Sequence, residues 1–154
     1  MNFDAAVFSD ISASGVGVII RNGNGLVMAA LSARGPTVMD SDEAEVLACR
    51  RGLEFALEAG FGDLIVEGDN LNVMRAVVSN RSDWSRLGNL VDDVRHLAGR
   101  LRLVDFQCIR RSADGVAHSL ARFARNISEE CAWLEDTPPP AAEALYVDSL
   151  SLSI

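Results

Sequence analysis

Asn2-Phe3-Asp4-Ala5-Ala6-Val7-Phe8 sets a carboxylate in the middle of an apolar run, and the reading of that aspartate decides the fold. Side chains alternate along a strand, so Phe3, Ala5 and Val7 share one face while Asn2, Asp4, Ala6 and Phe8 share the other. Asp is disfavoured in strands, and a charge among apolar neighbours needs a partner. Taken alone, Asp4 is adequately explained as a residue at a frayed, wet chain end. If the run is instead a central strand, other parts of the chain must bring groups to it.

Working outward, Gly15-Val-Gly-Val-Ile-Ile-Arg21 is β-branched enough to form a second strand. Asn22-Gly-Asn-Gly25 offers the positive-φ residues of a tight hairpin, and Leu26 to Ala33 returns as a third, antiparallel strand. Gly35-Pro36 then breaks the meander. From residue 42 to 60 the apolar period lengthens to that of a helix, with Cys49, Leu53, Ala56, Leu57 and Gly60 in the stripe. Glu45 lies one turn before Cys49, on the inward side. It also fits a capping box with Asp42, which by itself would explain it. Leu64 to Glu67 reads as a short buried strand, and the helix before it makes its pairing with the first strand parallel. Asp69 follows at the carboxyl end of that strand, the edge at which α/β sheets bind ligands. An Asp there would serve equally as the N-cap of a helix over 71–78. A polar loop over 80–85, a helix over 87–97 and a strand over 100–110 come next. The last helix is capped by Asp114 and turns Val116, Ala117, Leu120, Ala121 and Ala124 inward, with His118 pointing from its second turn.

The 154 residues suit one domain, over 1–136, followed by a proline-led, loosely ordered tail over 137–154. Cys49, Cys108 and Cys131 are odd in number and widely spaced, which is neither a disulfide framework nor a zinc pattern, so they read as core thiols. No leader or membrane-length apolar run is visible, so an intracellular monomer, nuclear or cytoplasmic and without a membrane partner, is expected. The net charge of −8 argues against avid nonspecific binding to nucleic acid. Its distribution is uneven: every basic residue is Arg, and residues 75–111 hold eight arginines against four aspartates. Most of those arginines are adequately read as solvated faces.

The order of elements, with carboxylates in the first strand, at the start of the first helix and after the fourth strand, resembles the type 1 ribonuclease H family. Within it, the chain is similar to the reverse-transcriptase-like ribonuclease H domains that are abundant in plants and derived from retroelements. The matching segments are Asn2-Phe-Asp-Ala5, Gly15-Val-Gly-Val-Ile-Ile-Arg21, Ala44-Glu-Val-Leu-Ala48, Val66-Glu-Gly-Asp-Asn70 and Ala117-His-Ser-Leu-Ala121. The resemblance implies an α/β fold in which a five-stranded mixed sheet, three antiparallel strands then two parallel ones, is flanked by helices. It implies cleavage of the RNA strand of an RNA–DNA hybrid with two Mg²⁺ ions held by Asp4, Glu45 and Asp69. His118 joins these as a catalytic position, and Asn70, Arg110 and Arg111 are the expected nucleic-acid contacts.

The chain also departs from the family. His118 stands where the family has a fourth acid, and Asp114 stands at a position that is usually Asn and suited to capping. The loop Arg110-Arg-Ser-Ala113 is short and lacks a histidine. A neutral imidazole is a poor ligand for Mg²⁺ and an acceptable one for Mn²⁺, which favours Mn²⁺ at this site. Two functions therefore compete: a metal-dependent endoribonuclease, and a catalytically degenerate module that binds nucleic acid or protein.

Overall fold

Alternating apolar residues make β1 (Asn2–Phe8) a strand with its neighbours on both sides. It pairs antiparallel with β2 (Ala13–Arg21), Asp4 opposite Gly17, and β2 pairs in turn with β3 (Val27–Gly35). On the other side β1 runs parallel to β4 (Asp63–Gly68), with Asn2 level with Glu67, and β4 runs parallel to β5 (Leu103–Cys108). The crossover is α1 (Ser41–Glu58), as a parallel pairing requires. The structure, a computed structural model, describes residues 1–79, 81 and 85–152. Most of the polar loop expected over 80–85 falls outside them.

The sheet has six strands rather than five. After α2 (Leu71–Val78), α3 (Arg86–Ala98) and α4 (Gly115–Phe123), β6 (Glu130–Leu134) pairs antiparallel with β3. The order is β5-β4-β1-β2-β3-β6. β6 is a short edge strand with one half-exposed face, the kind of segment whose apolar signal is weakest.

One face of the sheet buries Phe3, Val18, Leu31 and Val66 against Val46 and Leu53 of α1, Val73 of α2 and Val94 of α3. Each such side chain stabilises the fold by about 1.5–3 kcal/mol relative to an exposed one. The opposite face packs Ile19 and Ala30 against Val116 and Leu120 of α4. Here the helix lies directly on the strand, because β2 carries Gly15 and Gly17. A Cβ at Gly17 would overlap the carbonyl oxygen of Ala117, and one at Gly15 that of Ala121. These two glycines hold the start of α4 against Asp4.

The β2–β3 hairpin turns over 22–26 as expected, with Gly25 supplying the positive φ of +80° and Asn22 Oδ1 accepting from the amides of Asn24 and Leu26. Other local expectations are corrected. Gly60 belongs to no apolar stripe; it is the left-handed residue that ends α1, its amide bonding to Leu57 and that of Phe61 to Ala56. Of the three thiols, which were expected in the core, only Cys49 is buried, Cys131 being half-buried and Cys108 exposed. Regular structure continues past Pro138 among the described residues. Pro139–Ala141 form a short turn that leads into α5 (Ala142–Leu152), Ala141 is buried with Ile19 and Leu120, and Arg21 meets Asp148 at 2.9 Å. Proline is accepted in a first helical turn, where its missing N–H costs nothing. Among the described residues no helix is long and apolar enough to cross a membrane.

Candidate metal centre

The two bland explanations for Glu45 and Asp69 fail for the same reason: other residues do the capping. Asp40 accepts the Glu43 amide at 2.8 Å, and Glu43 reaches back to the amide of Met39 at 2.5 Å. The reciprocal cap of α1 is thus Asp40 with Glu43, not Asp42 with Glu45. At α2 the N-cap is Asn70, whose Oδ1 accepts from the Val73 amide at 3.1 Å while its Nδ2 donates to Asp42 at 2.8 Å. Glu45 and Asp69 are left without a helix to serve.

Both turn towards Asp4. The parallel register of β1 and β4 sets Asp69 level with Asp4, since Asn2 is level with Glu67 two residues earlier on each strand. Asp4 is only 4% exposed. Glu45 Oε1 accepts from the Ala5 amide at 3.2 Å, while Oε2 is buried without a partner. From α4, His118 Nδ1 lies 2.9 Å from Asp4 Oδ2. The sequence-named positions Asp4, Glu45, Asp69 and His118 therefore meet in one place.

A fifth residue is there as well, and the sequence reading assigned it elsewhere. Asp114 stands at the N-cap position of α4 but makes no capping bond. It is 1% exposed, and neither carboxylate oxygen has a well-formed hydrogen bond; the one donor beside it is the Asn2 side chain, which favours the ionised form and opposes part of the upward shift. One carboxylate oxygen each from Asp4, Asp69 and Asp114 lie within 4.8 Å of one another. The one sequence signal for this was that Asp replaces the expected Asn.

Crowded acids hold their protons. Burial, then the adjoining Asp4 and Asp69, push Glu45 up to about 10. Burial followed by the same two charges pushes Asp114 up to about 9. Asp69 is raised by burial and by Asp4, with Arg111 opposing at 4.0 Å. An all-oxygen donor set with orphaned buried oxygens suits a hard divalent cation.

Asp4, Glu45, Asp69 and His118 line an open cleft of about 750 Å³, with Asp114 buried behind them. Its walls carry Arg111, Arg122 and Arg125 together with Ser41 and Asn70. Of the basic stretch expected to grip nucleic acid, only Arg111 lines the cleft; Arg110 does not. Arg95 instead donates to the carbonyls of Ala76 and Val77 at the end of α2, and Arg102 is paired with Asp63. The missed cations Arg122 and Arg125 come from the end of α4 and the turn after it. Arg125 is paired with Asp10 and lies over the Phe8 ring.

This architecture has close counterparts among solved structures. Ribonuclease H1 of the halophilic archaeon Halobacterium salinarum superposes with a TM-score of 0.74 at 22% identity, over 81% of this chain and 95% of that one. The N-terminal ribonuclease H domain of a Mycobacterium tuberculosis protein gives 0.69 at 20%, over 80% and 90%. The compost-derived LC11 ribonuclease H1, solved in complex with an RNA/DNA hybrid, gives 0.70 at 20%, over 81% and 94%. No curated protein matches the sequence. The sequence model of the reverse transcriptase-like family matches residues 2–124. With its strands, helices and acid-floored cleft in that order, the chain belongs to the reverse transcriptase-like family and has the ribonuclease H fold.

Proposed function

We propose that the chain is a divalent-metal-dependent endoribonuclease that hydrolyses the RNA strand of RNA–DNA hybrids. The observation that carries this reading is the convergence of Asp4, Glu45 and Asp69, from three separate elements, on one cleft, where Glu45 Oε2 is buried without a partner. Asp4, Glu45 and Asp69 would hold the cation, Mg²⁺ or Mn²⁺; when bound, a pair of such ions lowers the pKa of water and stabilises the oxygen that leaves phosphorus. The protein's own groups supply placement. Arg111 and Arg122 face the cleft and would carry the substrate's phosphates. Asn70, already bonded to Asp42 and Val73, is a rigid contact rather than a free one. The hybrid bound to a ribonuclease H1 of the same fold supports the choice of substrate.

A second reading, a module that binds the hybrid without cutting it, is favoured by one contact: His118 lies on Asp4 and, if protonated, would neutralise it. Incubation of the purified protein with a labelled RNA–DNA hybrid and Mg²⁺ or Mn²⁺ decides between them. RNA-strand cleavage that disappears in Asp4→Asn is the expected result. Binding without cleavage under both metals would establish the second reading.

A further inference from the structure

We propose that Asp114 is a cation ligand of this site, a carboxylate supplied from the start of α4 one turn before His118. The inference rests on the metal-dependent reading above and adds to it a residue from a position suited to capping.

Three observations support it. Asp114 occupies the N-cap of α4, just before Gly115, and leaves that helix's amides alone, although capping them is what an Asp at that position ordinarily does. Its backbone is fully used, the amide donating to Arg111 and the carbonyl accepting from His118, so the unpaired groups are the side-chain oxygens alone. Those oxygens are buried, and one lies within 4.8 Å of oxygens from both Asp4 and Asp69. A buried acid with no better partner than the Asn2 side chain is poorly satisfied in a protein interior. A cation among the three acids removes the difficulty for all of them together.

The assignment also changes the charge balance. With Asp4, Glu45 and Asp69 alone, two divalent cations leave the site positive, and the second ion would wait for the substrate's phosphate. With Asp114 the four carboxylates balance two divalent cations. Both ions can then bind before nucleic acid does. His118, held at 2.9 Å on Asp4, is left to orient that carboxylate rather than to ligate.

The test is titration of the full chain with Mn²⁺ in the absence of nucleic acid, followed by calorimetry and by loss of the free-ion electron paramagnetic resonance signal. Wild type should bind two ions. Asp114→Asn should keep its fold and lose one ion or bind it roughly tenfold or more weakly, the scale on which metal-site partners act. His118→Gln should change binding less, and His118→Asp in the Asp114→Asn background should restore part of what was lost. A titration of Asp114→Asn that superposes on wild type overturns the proposal. If Asp4→Asn also superposes, the metal-centre reading itself fails, which is a different result. Should Asp114→Asn not fold, Asp114→Ser carries the same measurement.

Discussion

Helices α2 and α4 both begin on a polar side chain at the rim of the acidic site, and they use it in opposite ways. Asn70 gives its oxygen to the Val73 amide and so relieves Asp69 of that task. Asp114 gives nothing to α4 and turns its carboxylate to Asp4 and Asp69. An uncharged amide at the start of α2 frees an acid, whereas the acid at the start of α4 is itself the free one. The residue type at a helix start does not fix its work; the charges around it do.

The largest expected effect is at the acid both helices frame. Asp4→Asn should reduce hybrid cleavage at least about a thousandfold, equivalent to about 4 kcal/mol of transition-state stabilisation, while leaving the cation-free fold intact or slightly more stable. Cleavage close to wild type would remove Asp4 from the chemistry, and an unfolded variant would make it structural.

The next effect is a dependence of stability on pH. Glu45 and Asp114 hold protons in the folded chain, up to about 10 and about 9, that the unfolded chain releases at ordinary carboxylate values. Their contribution is complete below those ordinary values and is lost as pH rises towards the folded ones, at up to about 1.4 kcal/mol per pH unit for each retained proton. Thermal melts in a chelator should therefore fall as pH rises from about 5 to about 8. Mn²⁺ should raise Tm most at the upper end. A Tm that is flat or climbs with pH in chelator contradicts this.

Two variants separate what Asn70 and Asp114 do for their helices. Asn70→Ala should destabilise by about 1 kcal/mol through loss of the cap. Asp114→Asn should not destabilise the cation-free protein, because no cap is lost and an acid that must take up a proton to be buried is replaced by a neutral amide. Equal losses in urea denaturation would mean that both residues cap. Smallest of all, Arg111→Gln and Arg122→Gln should each reduce the slope of log binding constant against log salt by about 1, and Arg110→Gln should leave it nearly unchanged. An Arg110 effect as large as that of Arg111 would move the binding surface outside the cleft.

Much of the fold was legible because its strongest signals are local: β-branched runs, a change of period at α1 and a buried four-residue strand. β6 was missed because a five-residue edge strand half open to water carries little apolar contrast. The helix after Pro138-Pro-Pro140 was not legible because three prolines look like a terminator, although proline fits a first helical turn and Ala141 finds a core to enter. At the site, Asp4, Glu45, Asp69 and His118 could be named from spacing and resemblance. Asp114 could not, since an Asp before a helix is ordinarily its cap and only tertiary placement shows where the side chain turns. Arg122 and Arg125 were overlooked for a related reason: their link to β1 is a matter of docking, not of sequence distance.

That docking has a further consequence. Because Gly15 and Gly17 let the backbone of α4 rest on the backbone of β2, the helix behaves as a graduated scale fixed beside Asp4, its zero set by main-chain atoms. Side chains along it can be exchanged without moving the scale, and a step of four residues displaces a functional group by about 6 Å along one face. An acid stands at one graduation and an imidazole at the next, and a designer could retune the centre by rewriting α4 alone.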